Sequence, residues 1–148
     1  MQFKDAIHAI GRLEVILKDN SGNEKLHFET DNLVVQTGRE IIASRLSDES
    51  LAKPSHMAIG SNSTIEPNLS QTALGAELAR VALAKTQRTD NTILYEAEFP
   101  PTVGTGEVVE AGIFNASSNG HMLNRTTFPI VTKEDADTLT IRWNVTIN

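Results

Sequence analysis

Three charged residues interrupt otherwise apolar runs of this 148-residue chain: Arg80 ahead of Val-Ala-Leu, Glu110 inside Val-Val-Glu-Ala-Gly-Ile-Phe, and Arg125 after Met-Leu-Asn. A charge inside a buried strand has to be paired, because leaving it alone costs several kcal/mol. The pattern points to an Arg80, Glu110 and Arg125 network that fixes strand register or crosses a subunit boundary. The plainer reading puts each side chain on a wet face. No other grouping has the spacing of a reactive centre. His8, His27, His56 and His121 lie far apart, without the close pairs of a metal site. Gly104-Thr-Gly106 lacks the third glycine of a dinucleotide loop, with Val109 in its place. Neither Gly60-Ser-Asn-Ser63 nor Ala116-Ser-Ser-Asn-Gly120 forms the Gly-x-Ser-x-Gly of a nucleophile elbow. Glu134-Asp-Ala-Asp137 and Asp19-Asn-Ser-Gly-Asn23 do not match the twelve-residue calcium loop and read as solvated turns. The chain has no cysteine, which excludes disulfides, thiolate zinc sites, iron–sulfur clusters and thiol nucleophiles together. The expectation is no enzyme, no cofactor, and no catalytic or metal-binding residue.

The elements that must position these charges begin with a single domain, the ordinary outcome for this length. A net charge of −6 argues against a surface built to neutralise phosphates, so the expected partners are proteins rather than nucleic acid. The N-terminal stretch is interrupted by Lys4, Asp5 and His8 and does not read as a signal peptide. No run of about 18 apolar residues is present to span a membrane.

Along the chain, Arg-Leu-Glu-Val-Ile-Leu-Lys over 12–18 and the alternating run over 25–30 read as a hairpin closed by Asn and Gly. Thr37 and Glu40 stand at capping-box spacing, which predicts a helix of about three turns over 38–48, ended by Lys53-Pro54. A short strand is expected over 56–60. A short second helix is expected over 71–78, with Leu74 and Leu78 on one face and Gly75 weakening it. The second half reads as strands over 80–86, 92–99, 107–114, 121–128 and 138–147. In the last of these, Leu139, Ile141, Trp143, Val145 and Ile147 share one face. The expected fold is mainly β: an antiparallel β-sandwich, or open barrel, carrying one early helix and a short second one. Residues 1–11 form an N-terminal docking segment and 12–148 the domain, with Phe3, Ile7 and Ile10 as candidate contacts to a neighbouring subunit.

The motifs Asn32-Leu-Val-Val with Thr37-Gly38, Ser55-His-Met-Ala-Ile-Gly60 and Thr72-Ala-Leu-Gly-Ala-Glu-Leu-Ala-Arg80 continue into Glu110-Ala-Gly-Ile-Phe-Asn115. Met122-Leu-Asn-Arg125 with Thr127-Phe128 and Asp137-Thr-Leu-Thr-Ile-Arg-Trp143 complete the order. Taken together they resemble a family of bacteriophage virion structural proteins related to tail fibre, collar and baseplate proteins. No single motif carries the likeness; their order and spacing do. The resemblance implies a non-enzymatic, tail-associated virion part, made in the host bacterial cytoplasm. It also implies a homo-oligomer of three-fold or six-fold symmetry that holds other virion proteins through protein–protein interfaces. A capsid decoration or cement protein is the alternative within the same class. A carbohydrate-binding module is the reading from another class, and it is weakened by an aromatic content of 5%.

Overall fold

The computed structural model describes residues 6–47 and 51–148. The first two strands are β1 (Ala9–Lys18) and β2 (Glu24–Val34), followed by the helix α1 (Gln36–Arg45). Then come β3 (His56–Gly60), β4 (Glu77–Ala82), β5 (Lys85–Thr89), β6 (Thr92–Phe99), β7 (Gly106–Phe114), β8 (Met122–Lys133) and β9 (Thr138–Ile147). All strand pairs are antiparallel, and they form one nine-stranded sheet in the order β4-β3-β7-β8-β2-β1-β9-β6-β5. The fold is mainly β, with an antiparallel sheet curled into a half-barrel.

Strand β2 makes the sheet continuous. It pairs with β1 from Glu24 to Asn32, but with β8 only through Leu33↔Arg125 and Val34↔Asn124. Beyond those pairs the two strands part, and the rings of Phe28 and Phe128 meet across the opening, centroids 5.7 Å apart. At the opposite side, β4 pairs with β3 and β5 with β6, while only Leu83 and Ala84 separate them in the chain. The amide of Leu83 donates to Ser55 on one side and that of Ala84 to Glu96 on the other. The stretch expected as one strand over 80–86 is therefore two, changing edge partner at a two-residue bend.

Alternation decides which faces are buried. Leu13, Val15 and Leu17 of β1 stand beside Trp143, Ile141 and Leu139 of β9, and all six are buried in one core that reaches both halves of the sheet. Burying side chains of this size contributes about 1.5–3 kcal/mol each. In β8 the expected end near Phe128 does not occur, and the strand runs through Pro129 to Lys133. The register with β7 shifts between Val108 and Glu110, so Pro129 falls in a bulge, where a residue without an amide proton is tolerated.

The helix begins at Gln36, two residues before the expected start, and the Thr37–Glu40 capping box does not form. Thr37 Oγ1 instead donates to the Met122 carbonyl (2.6 Å), and the Gln36 amide donates to the Leu69 carbonyl (2.8 Å). Neighbouring chain segments thus satisfy the first turn in place of a side-chain cap. The second helix is not formed: 71–76 is irregular and β4 starts at Glu77. The amides of Gly75 and Ala76, which a helix would aim at its own carbonyls, donate to the Glu110 carboxylate. The expected boundary at Gly11 also falls inside β1, where Ala9 and Ile10 pair with Ile147 and Thr146.

The core also holds one polar bridge. Trp143 Nε1 donates to Asn32 Oδ1 (2.7 Å) across β1, and the Asn32 amide group passes over Gly11 to reach it. A β-carbon at position 11 would collide with Asn32 Oδ1. Replacing Gly11→Ala should therefore expel the amide and leave the buried indole N–H unpaired. Urea denaturation should show a loss of about 1–3 kcal/mol, and an unchanged midpoint would refute the role given to Gly11.

Candidate functional site

Glu110 lies on β7 and Arg125 on β8, both fully buried. Their strand partners are Thr127 and Gly112, so the two are diagonal neighbours on one face, within reach of long side chains. Arg125 Nη2 and Nε reach Glu110 Oε1 at 3.0 and 3.2 Å. The same oxygen accepts the Gly75 amide (2.7 Å), while Oε2 accepts those of Ala76 (2.8 Å) and Asn62 (3.0 Å). The remaining guanidinium donors go to the carbonyls of Ile65 (2.9 Å) and Asn62 (3.2 Å) and to Gln71 Oε1 (3.2 Å). Every partner outside the pair belongs to residues 61–76, a segment with no helix or strand of its own. The ion pair is thus the clasp that holds this long loop against the outer face of the sheet. Connections of this length are uncommon and need such anchoring.

Arg80 does not join that pair. It forms an ion pair with Glu77, three residues away on β4 (2.7 Å), and its guanidinium lies 3.8 Å above the Phe114 ring. Nη1 donates to the carbonyls of Ala116 (3.0 Å) and Asn119 (2.9 Å), so Arg80 clasps the β7–β8 connection. The two arginines thus act on two different loops.

A third cluster includes the acidic run 134–137, which the sequence reads as a solvated turn; the structure instead buries Asp137. Lys133 is buried, its ammonium donates to the Pro100 carbonyl (3.0 Å), and burial draws its pKa below the usual lysine range. Asp137, also buried, accepts from Lys25 (2.8 Å) and the Glu134 amide (2.9 Å), and the lysine bond holds its pKa below the usual carboxylate range. The acidic run 134–137 is thereby spent on tying the β8–β9 turn to β2. Among the described residues, no group of three or more His, Asp or Glu side chains is placed to hold a metal ion. No described helix is long and apolar enough to cross a membrane.

On the outer face of β6, β9, β1 and β2, charges alternate in a row. Glu96 faces Arg142 (3.5 Å), Arg142 faces Glu14 (3.8 Å), and Glu14 accepts from His27 Nε2 (2.9 Å). The other ring nitrogen of His27 faces Glu24 (3.5 Å). A neutral imidazole donates from one nitrogen only, so carboxylates on both sides favour the imidazolium. The Glu14 bond accordingly raises the His27 pKa above 6.5.

Of the candidate docking residues, Phe3 lies outside the described residues. Ile10 is on β1 and exposed. Ile7 is 78% exposed and borders a groove of about 470 Å³ that is also lined by Ala9, Ile42, Ala43, Leu46 and Ile147. No family model matches the chain, nor does any curated protein or solved structure.

Three outcomes follow. Glu110→Gln turns one acceptor oxygen into a donor facing amide protons and removes the charge opposite Arg125. It should cost about 3 kcal/mol and speed amide hydrogen exchange over 61–76 first. The paired change Glu110→Met with Arg125→Met should cost less than either alone, because no unpaired charge is left buried. For His27, the raised folded pKa means that its stabilising contribution is complete below the unfolded value of about 6.5. That contribution fades as pH rises through the higher folded value. A pH series of urea midpoints should show this loss in the parent chain and not in His27→Gln.

Proposed function

We propose that the chain is a non-enzymatic structural protein of a bacteriophage virion. In this reading it is tail-associated, as a fibre, collar or baseplate adaptor, and it assembles with further copies of itself through protein interfaces. The observation that carries the reading is the groove between the start of β1 and α1. Ile7 and Leu46, 78% and 86% exposed, are the two most exposed large apolar side chains among the described residues, and both border it. Exposed apolar side chains bordering a groove lined by Ala9, Ile42, Ala43 and Ile147 together with His8 and Arg39 suit a protein occupant, in this reading a second copy. A ring of three or six copies needs a head-to-tail interface, in which Ile7 and Leu46 of one copy would meet a different surface of the next.

The residues that carry the family resemblance fit the same view. Asn32, Thr37, Glu110, Arg125 and Trp143 hold loops and strands to one another, which is the role expected in a part whose job is its shape. A sugar-binding platform is disfavoured because Trp143 is buried and bonded to Asn32. The capsid-decoration alternative shares the interface and differs in location.

Sedimentation of the full chain should give a closed oligomer, with Leu46→Asp sedimenting as a folded monomer; unaltered assembly would overturn the interface. Gold label on tagged particles should sit at the tail or neck. Label spread over the head would replace the adaptor reading with the decoration reading.

A further inference from the structure

Asn119-Gly120 is the one Asn-Gly pair in the chain, and it lies exposed in the β7–β8 connection. Such pairs are chemically labile. The Gly120 backbone nitrogen attacks Asn119 Cγ, a new N–Cγ bond forms, the Cγ–Nδ2 bond breaks and ammonia leaves. Water then opens the five-membered imide at either carbonyl, leaving aspartate or isoaspartate. Glycine places no side chain in the way of that attack.

The geometry here opposes it. Asn119 has φ 52° and Gly120 φ 73°. The Asn119 value lies in the left-handed region, where an L residue takes a ψ of about +30 to +60°. At that ψ the Gly120 nitrogen lies on the far side of the Cα–C bond from the Asn119 side chain, so closing the ring requires rotation about that bond. The same rotation swings the Asn119 carbonyl, which accepts from Arg80 Nη1 (2.9 Å). Arg80 is in turn held by Glu77 (2.7 Å), by the Ala116 carbonyl (3.0 Å) and by the Phe114 ring, and its side chain is only 7% exposed.

We propose that Asn119 is a deamidation site gated by Arg80, whose hydrogen bond to the Asn119 carbonyl holds the turn in a conformation that cannot cyclise without that rotation. The gate does not rest on the virion reading. Its loss would place a new carboxylate beside the Arg80 guanidinium, in competition with Glu77. In the isoaspartyl product the extra backbone carbon would also lengthen the turn.

The test is to incubate the folded chain in mildly alkaline buffer and follow Asn119 by peptide mapping. A synthetic peptide of residues 115–121 serves as the ungated reference, and Asn20, an Asn-Ser site in the β1–β2 turn, as the internal one. A charge-assisted hydrogen bond corresponds to about tenfold or more in rate. Asn119 in the parent chain should therefore react at least about that much more slowly than in the peptide. Arg80→Gln should bring it towards the peptide rate with Asn20 unchanged. Should Arg80→Gln not fold, Glu77→Gln, which keeps the guanidinium and removes its anchor, should accelerate Asn119 in the same selective way. Reaction of the parent chain at the peptide rate, no acceleration in the variants, or equal acceleration at Asn20 would each overturn the gate.

Discussion

The buried pair of Glu110 and Arg125 is the interaction on which most of this molecule's shape depends. Removing two charges from water is costly, and their mutual attraction offsets that only when the remaining lone pairs and protons are also satisfied. Here they are satisfied by the backbone of residues 61–76, so the desolvation requirement itself dictates where that loop lies. The consequence extends further, because Leu69 of the loop accepts the Gln36 amide at the start of α1. A single pair of charges on adjacent strands therefore sets the path of a loop, and the loop helps to set the start of the helix.

The other buried polar contacts work in the same way at other corners. Asn32 and Trp143 tie β2 to β9 over the top of β1, Lys25 and Asp137 tie β2 to the β8–β9 turn, and Arg80 ties β4 to the β7–β8 connection. Each joins segments that the hydrogen-bonded ladder leaves apart. The apolar core supplies the bulk of the cohesion but is tolerant of small shifts. Directional contacts of this kind fix one curvature out of many that the same core would accept.

Much of this was legible in the sequence where period and burial agree. The strands over 56–60, 92–99 and 138–147 match those formed, and in the last the alternation names the buried face correctly from Leu139 to Val145. Misreadings arose where a distant partner outbid a local signal. Leu74 and Leu78 have helical spacing, but Glu110 claims the amides that a helix would need. Thr37 and Glu40 have cap spacing, but Met122 claims the threonine hydroxyl. The bend between β4 and β5 interrupts no hydrophobic pattern, and Pro129 suggests an end that a bulge in register makes unnecessary. Glu110 and Arg125 stood out because charge is rare in apolar runs. Arg80 looked equivalent to them, yet its carboxylate partner, Glu77, was three residues away in plain view. The acidic run 134–137 reads as a solvated turn because nothing beside it in sequence marks Asp137 as buried; its partner Lys25 is more than a hundred residues away.

The placement of β1 beside β9 bears on how the chain reaches this state. Strand β1 takes as a neighbour β9, more than a hundred residues later in the chain, and beyond them the amides and carbonyls of His8 and Asn148 exchange hydrogen bonds. Until β9 has emerged, β1 has only β2 to pair with, and β6 only β5, and isolated hairpins are marginal in water. The middle of the sheet thus closes last in time although it begins first in sequence. Assembly of the core is therefore a late, cooperative event dominated by contacts distant in sequence, the class of topology that folds slowly. During synthesis, Leu13, Val15 and Leu17 wait exposed for partners more than a hundred residues away, and the speed of translation, rather than any single contact, sets how long they wait.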